Sequence, residues 1–378
     1  MNRGNPPEDS EANEGTNTMT SKERILAGLH GQPVDHTPFS PFLAYVWEYF
    51  PQEVQEAGQL AFHHAIGADP LWRGATCAVK AIMPEGIERK VVTEGDREVT
   101  YVTTPVGGLR FAHARSEDGN TTFIVEHPLK TEEDYKVRMW MEEGIRYEPN
   151  TEAVRAHLEG NGAEGLSLGQ LIPRCKSAYQ DMVEFFVGTE ELVYAQMDYP
   201  DTVRSLWELM VENDMKAARI SVESDYDHFL TFEDSSTQNY SPTQYDEFIG
   251  SEIGQWCELL AGAGKHYVQH ACGHVAALTE RMRDHGVFAI ESISPPPTGN
   301  LTIKEARAMV GDTMGIIGGV EPTQFLNLDG EDLQRYTEQV IEDAQGGPFV
   351  LANSDSCPPG VTVEKFKLVA DVAKSWQA

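Results

Sequence analysis

The stretch Lys265-His266-Tyr267-Val268-Gln269-His270-Ala271-Cys272-Gly273 joins a predicted strand to two residue types that bind metals. Residues 265–270 form a short run of the kind that becomes a buried strand. Because His270 and Cys272 lie two positions apart, their side chains point to the same side at the end of a strand. A second predicted strand, Pro348–Ala352, is followed by Cys357. One imidazole and two thiolates at two strand ends match the ligand set of a catalytic zinc site with an open position.

Each of these three residues also has an ordinary structural interpretation. A lone His270 is typical of a core histidine, and a lone Cys272 or Cys357 is typical of an inert buried thiol. The two cysteines are too far apart for a zinc-finger spacing, so the pattern gains force only from its placement at strand ends. From the residues alone, a metal site and a purely structural role both stay open.

Short apolar runs alternate with longer amphipathic segments over most of the chain, which predicts a parallel sheet flanked by helices. Eight such units favour an α/β fold of the closed (β/α)8 TIM barrel type rather than an open sheet. The predicted strands are Thr37–Leu43, a strand near Ala68–Trp72, Gly165–Ile172, His228–Phe232, Lys265–His270, Val287–Ile293, Met314–Gly318 and Pro348–Ala352. The predicted helices include Thr20–Leu29, Tyr199–Glu223, Pro242–Ala261, Val275–Asp284, Ile303–Val310 and Leu333–Ala344.

Two segments depart from this alternation. Arg89–Arg115 alternates polar and apolar residues around Glu94-Gly95-Asp96, which predicts a β-hairpin inserted early in the barrel. Residues 1–18 are rich in Asn, Glu, Gly and Pro and nearly free of apolar side chains, which predicts a disordered acidic leader. Residues 19–378 are then expected to form a single barrel domain.

The composition limits the classes of partner and compartment. The chain has 29 Lys and Arg against 60 Asp and Glu, and its net charge of −31 disfavours nucleic acid and anionic membranes as partners. No apolar run reaches the ~18 residues of a membrane-spanning helix, and the N-terminus lacks the pattern of a secretory signal. Five scattered cysteines argue against a disulfide framework and favour a reducing cytoplasm.

Further polar residues stand where predicted strands end, which is where a barrel builds its active site. Gly318 and Gly319 would let a cofactor approach the backbone, with Glu321 beside them, although a simple turn explains the glycines equally well. For the acidic residues, a zinc ligand or general base competes with a helix cap or a salt bridge. The acidic residues at strand ends are Glu233, Asp234 and Glu291.

Several motifs together point to a known family. They are Ser21–Leu29 followed by Pro33-Val34-Asp35-His36-Thr37-Pro38, then Tyr199-Pro200-Asp201-Thr202-Val203, Tyr240–Phe248, Gly318-Gly319-Val320-Glu321-Pro322, and His270-x-Cys272 with the distant Cys357. In these motifs the chain resembles the uroporphyrinogen decarboxylase superfamily from about Thr20 to its C-terminus. Within that superfamily it resembles the zinc-dependent cobamide methyltransferase branch, which includes methylcobamide:coenzyme M methyltransferases.

The resemblance implies a (β/α)8 barrel in which His270, Cys272 and Cys357 bind zinc. It implies a methyltransferase of one-carbon metabolism that takes a methyl-corrinoid as co-substrate from a partner corrinoid protein. The methyl acceptor would be a small molecule, either a thiol or tetrahydrofolate. Glu233 is the first candidate for a displaceable fourth ligand or proton acceptor, and Asp234 is the second. The oligomeric state stays open, with a homodimer as one arrangement.

Three alternatives to this function stay open. The first is a decarboxylase on the same barrel. A uroporphyrinogen decarboxylase of the porphyrin pathway needs cations to hold substrate carboxylates, yet Phe39–Glu48, where that enzyme carries Arg, contains none, so a smaller or less anionic substrate is the form of this alternative that stays open. A zinc-dependent lyase or hydrolase would instead hold water in the open position. A corrinoid- or tetrapyrrole-binding protein without turnover is the alternative that is not an enzyme.

Overall fold

The computed structural model describes residues 18–116 and 121–376. Its centre is a curled sheet of seven parallel strands, and the order of these strands across the sheet is their order along the chain. These strands are β1 (Leu71–Ala75), β2 (Leu166–Gln170), β3 (His228–Phe232), β4 (His266–His270), β5 (Ala289–Ile293), β6 (Gly315–Val320) and β7 (Phe349–Asn353). The predicted α/β class with a parallel sheet is confirmed, and the architecture is TIM-barrel-like.

Apolar side chains cover both faces of this sheet. On the concave face Leu230 and Val268 pack together with Ile25 and Leu29, which come from the helix Ser21–Leu29. The convex face packs against the surrounding helices in a second, larger cluster. Because both faces are buried, the strands are nearly continuous apolar runs in the sequence, and this explains why they could be located there.

The predicted strand Thr37–Leu43 is wrong in its extent. Within it, only Phe39 pairs with the sheet, through a single parallel bridge to Leu351 on β7. Pro38 and Pro41 have no N–H group to donate, so a longer ladder cannot form on either side of this bridge.

Residues 38–40 nevertheless lie between the last strand and the chain that leads into β1. The Ser40 N–H donates to the Leu351 carbonyl at 2.9 Å, and the Asp69 N–H donates to the Phe39 carbonyl at 2.7 Å. The structure therefore shows a seven-stranded curled sheet with one additional bridge, where a closed eight-stranded barrel was predicted.

Helices surround the convex face. The prediction for Ile303–Val310 is confirmed residue for residue, while Pro242–Ala261 is divided by the π-helical turn Tyr245–Gly250. The C-terminal helix Val363–Ser375 was not predicted. The α-helices of the described residues are Ser21–Leu29, Gln52–Ala57, Gln59–Ile66, Glu132–Glu143, Thr151–Glu159, Ala178–Asp181, Thr189–Asp198, Pro200–Val222, Pro242–Gln244, Ser251–Gly262, Thr279–Asp284, Ile303–Val310, Pro322–Asn327, Gly330–Asp343 and Val363–Ser375.

The insertion between β1 and β2 is larger than the predicted hairpin. Its first turn falls at Gly95-Asp96, as expected, but a second turn follows at Pro105-Val106, where the Thr104 hydroxyl donates to the Gly107 carbonyl at 2.8 Å. The result is a four-stranded antiparallel sheet built from Glu88–Glu94, Arg97–Thr104, Gly107–Arg115 and Thr122–Glu126. A separate two-stranded sheet pairs Val79–Ile82 with Arg146–Pro149.

The predicted leader, residues 1–18, lies outside the described residues except for Thr18. Among the helices that the structure describes, none combines the length and the apolar composition needed to span a membrane.

Candidate functional site

Three chemically reactive side chains meet at the C-terminal ends of β3 and β4. Asp234 follows β3, while His270 ends β4 and Cys272 lies two residues beyond it. One ligand atom from each of the three lies within 4.8 Å of the other two. His270 Nε2 is 3.3 Å from Asp234 Oδ1, and the Cys272 thiol donates to the same oxygen at 3.6 Å. A nitrogen, a sulfur and a carboxylate oxygen in this arrangement are a donor set that suits a zinc ion.

The imidazole of His270 is held from behind by a buried ion pair. Its Nδ1 donates to Glu291, which is the register partner of His270 on β5. The other Glu291 oxygen accepts a 2.7 Å bond from Arg73 on β1, and both side chains are almost fully buried. A carboxylate on the second ring nitrogen fixes the orientation of a histidine that ligates metal through the first.

Asp234 is held by a cation from the loop after β2. The Lys176 ammonium contacts Asp234, lies 2.8 Å from Glu184 and donates to the Phe232 carbonyl at 2.5 Å. The backbone of Asp234 has φ of 47°, a left-handed conformation that is uncommon outside glycine and clusters at functional sites.

Charge interactions control the protonation of these groups. Burial opposes the imidazolium form of His270, but Glu291 and Asp234 outweigh it and raise the pKa of His270 well above its usual value. Burial likewise opposes the anionic form of Asp234, yet His270 and Lys176 hold the pKa of that carboxyl below its usual range. Burial raises the pKa of the Cys272 thiol, against the opposing effect of His270. A metal ion that binds here would therefore displace protons from His270 and Cys272.

Cys357, the third predicted zinc ligand, lies in the loop after β7 and does not belong to the group formed by Asp234, His270 and Cys272. Burial, with Asp355 adding to it, raises the pKa of the Cys357 thiol. Cys357 lines a cavity of about 760 Å³, and its role as a zinc ligand stays a prediction. Other residues that line this cavity include Tyr45, Glu48, Tyr49, Thr298, Pro322, Thr323 and Asp355.

Glu233, which the sequence favours over Asp234, faces a different set of partners. Its carboxylate accepts hydrogen bonds from the Ser177 N–H at 2.8 Å, the Ser177 hydroxyl at 2.7 Å and the Thr231 hydroxyl at 2.7 Å. The side chain is fully buried, and burial raises the pKa of Glu233. The geometry therefore favours Asp234 as the acidic member of the site, with Glu233 anchoring the loop that carries Ser177.

The three residues predicted to bind a cofactor have structural partners. Gly319 has φ of 112°, and a Cβ at this position would lie 2.4 Å from Val340 Cγ1, so close helix packing requires glycine here. Gly318 also has positive φ. Glu321 caps the helix Pro322–Asn327 by accepting a 2.7 Å bond from the Gln324 N–H. Gly319 and Glu321 therefore have structural roles, and cofactor binding by Gly318, Gly319 and Glu321 stays a prediction.

Arg73 and Lys176 are site residues that the sequence analysis missed. Arg73 lies inside the apolar strand β1, where a lone cation signals a buried anionic partner. Lys176 lies in the loop that joins β2 to the helix Ala178–Asp181, on the side of the sheet where this architecture places functional residues. Both signals were present, but neither residue type is a metal ligand.

Comparisons with known proteins agree with this architecture. A model of the family described as uroporphyrinogen decarboxylase (URO-D) matches residues 182–376, a range that includes Asp234, His270, Cys272, Glu291 and Cys357. A search of curated proteins finds no match.

Among solved structures, a methyltransferase from Methanosarcina mazei superposes with a TM-score of 0.60 at 15% identity, covering 94% of this chain and 98% of the other. A B12-independent methionine synthase from Shewanella sp. W3-18-1, in complex with selenomethionine, gives a TM-score of 0.43 at 8% identity, covering 90% of this chain and 97% of the other. At 15% identity, the likeness to the Methanosarcina mazei methyltransferase shows a shared fold alone.

Proposed function

The chain belongs to the uroporphyrinogen decarboxylase family, and from this premise we propose that it is a zinc-dependent methyltransferase. It would move a methyl group between a methyl-corrinoid, carried by a partner corrinoid protein, and a thiol or tetrahydrofolate acceptor. The observation that carries the proposal is the group of Asp234, His270 and Cys272 at the C-terminal strand ends, with donor atoms within 4.8 Å of one another. The fold shared with the Methanosarcina mazei methyltransferase supports it.

The residues present fit a zinc ion. His270 and Cys272 supply a nitrogen and a sulfur, Asp234 supplies an oxygen, and Cys357 is the candidate that the family pattern adds. When bound, zinc lowers the pKa of a coordinated thiol and so supplies a thiolate at neutral pH.

The other site residues position these donors and receive the substrate. Glu291 fixes the ring of His270, and Lys176 fixes the carboxylate of Asp234. The cavity beside Cys357, about 760 Å³ in volume, has the size of a small-molecule site and is lined by both aromatic and hydroxyl side chains. It offers room for an acceptor next to the strand ends.

A decarboxylase of a polycarboxylate is the second candidate, because the matching family model carries that description. Such a substrate needs free cations to bind its carboxylates. The two cations at this site are already paired, Arg73 with Glu291 and Lys176 with Asp234 and Glu184. This pairing favours methyl transfer.

The test is zinc-dependent demethylation of methylcobalamin, followed in the visible spectrum, with a simple thiol or tetrahydrofolate as acceptor. Wild-type protein and the control Cys77→Ser are expected to react, because Cys77 lies outside the candidate metal group. Cys272→Ser is expected to lose zinc and activity together. Absence of zinc-dependent demethylation with every thiol and folate tested, or release of CO2 from a porphyrinogen by metal-free protein, would overturn the proposal.

A further inference from the structure

Three histidines meet at the opposite end of the sheet from the candidate active site. His228 and His266 are the first residues of β3 and β4, and their Cα positions are register partners. His30 follows the helix Ser21–Leu29. His266, Val268 and His270 share one face of β4, because side chains two positions apart in a strand point the same way. The concave face of the sheet therefore carries a histidine at each end of this strand.

The three rings are close enough to share one ion. One ring nitrogen from each of His30, His228 and His266 lies within 4.8 Å of the other two. Ring centroids are 4.9 Å apart for His228 and His266, and 4.9 Å apart for His30 and His266. In a tetrahedral zinc site with bonds of about 2.0–2.1 Å, ligand nitrogens lie about 3.4 Å apart. The rings need only a small closing movement, which the exposed His30 is free to make.

His228 supplies an independent sign of a missing ligand. Its side chain is 3% exposed, and neither ring nitrogen has a hydrogen-bond partner among the described residues. A buried imidazole with two unsatisfied nitrogens is costly, because both lost their water on folding. A metal ion bound to one nitrogen would remove part of this cost.

The protonation of the cluster suits metal binding. Burial lowers the pKa of His228 to about 3, and nearby His266, His30 and Lys22 act in the same direction. Burial also lowers the pKa of His266, with Asp227 opposing it. Neutral imidazole is the form that ligates a metal.

We infer that His30, His228 and His266 form a second metal site, which takes a first-row divalent transition ion such as Zn²⁺. Three imidazoles leave one coordination position open, and the exposure of His30 places that position at the surface. A bound ion would tie the N-terminal helix to strands β3 and β4. The competing explanation is aromatic packing alone, since the ring of Phe288 lies 4.2 Å from that of His266.

The test uses the full chain carrying His270→Ala and Cys272→Ser, so that the candidate active site cannot bind metal. Equilibrium dialysis with Zn²⁺ alone is expected to give one ion per chain, and zinc is expected to raise the thermal unfolding midpoint. Adding His30→Ala should weaken binding by at least about tenfold, because loss of a ligand costs no less than loss of an outer-shell partner. His64→Ala is the matched control, since His64 is an exposed histidine outside the cluster.

Co²⁺ gives a second readout. Cobalt in the cluster should show no thiolate-to-metal charge-transfer absorption, because all three ligands are imidazoles. Absence of zinc binding in the starting double variant, or equal affinity in the His30→Ala and His64→Ala proteins, would overturn the inference and leave aromatic packing as the explanation. Because the double variant lacks the candidate active site, neither result depends on the proposed methyl transfer.

Discussion

Glu291→Gln tests whether the buried carboxylate behind His270 supports metal binding. Glutamine keeps the shape of the side chain and removes its charge. In the native protein one carboxylate oxygen accepts from His270 Nδ1 and the other accepts from Arg73 at 2.7 Å. The carboxylate attracts both the proton and the metal ion at the imidazole, but a dication feels the same charge twice as strongly. Zinc affinity should therefore fall.

The expected size follows from the position of Glu291 next to a ligand. Loss of an outer-shell partner costs about 10–100-fold in metal affinity, which corresponds to about 1.4–2.7 kcal/mol. Stability should fall as well, by about 3–5 kcal/mol, because the buried Arg73 guanidinium keeps the Ser40 and Pro41 carbonyls as acceptors but loses the carboxylate that balances its charge. A combined Glu291→Gln and Arg73→Met variant should recover stability without recovering zinc affinity.

The assay is competition for zinc against a chromophoric chelator, with circular dichroism to establish that each variant is folded. Glu258→Gln is the matched control, since Glu258 is exposed on the helix Ser251–Gly262. A folded Glu291→Gln protein that binds zinc within about twofold of the wild type would refute the reasoning, because loss of an outer-shell partner should weaken binding at least about tenfold.

Three further predictions concern the acidic pair, a buried network and one glycine. Asp234→Asn should lower zinc affinity and Glu233→Gln should leave it nearly unchanged in dialysis; the reverse order would show that the donor group is misassigned. Burial opposes the anionic form of Glu142, but the guanidinium groups of Arg174 and Arg138 outweigh it and lower the pKa of Glu142 to about 2. Above its usual pKa of about 4.5, this carboxylate therefore stabilises the fold by about 3 kcal/mol. That contribution is lost as the pH falls from about 4.5 towards 2. Glu142→Gln should thus lower stability at pH 7 and flatten its acid dependence in denaturant titrations, and an unchanged slope would contradict the assignment. Gly319→Ala should lower the free energy of unfolding by about 2–4 kcal/mol in the same titrations, because φ of Gly319 is 112° and the new Cβ would meet Val340. A loss below about 1 kcal/mol would show that the helix carrying Val340 shifts freely.

Much of the fold could be predicted because each parallel strand is buried on both faces and reads as an apolar run. The same property made it impossible to tell from the sequence which polar side chains at the strand ends face the site. An apolar run does not reveal which face is concave, so the sequence could not decide whether Asp234 or Glu233 points inward after β3. Once Leu230 is known to lie on the concave face, alternation places Thr231 on the opposite side, and the Thr231 hydroxyl holds Glu233 there.

The errors in the fold have local causes. Thr37–Leu43 looks like a strand by its apolar content, but the two prolines restrict its pairing to Phe39. In the insertion, the turn at Gly95-Asp96 carries a strong sequence signal, whereas the turn at Pro105-Val106 depends on a hydrogen bond from Thr104. Arg73 was missed because its partner, Glu291, is distant in sequence and comes close only when β1 and β5 share one sheet.

The bridge at residues 38–40 has a consequence for how the chain folds during synthesis. Its neighbour Phe42 donates to Asn353, a residue 311 positions later, so this contact cannot form until nearly the whole chain has left the ribosome. Contacts of such long sequence separation slow folding, and unpaired strand edges attract other chains in the meantime. Until β7 has been synthesised, residues 38–42 lack these partners, so this N-terminal segment is where a nascent chain of this protein is most exposed to aggregation.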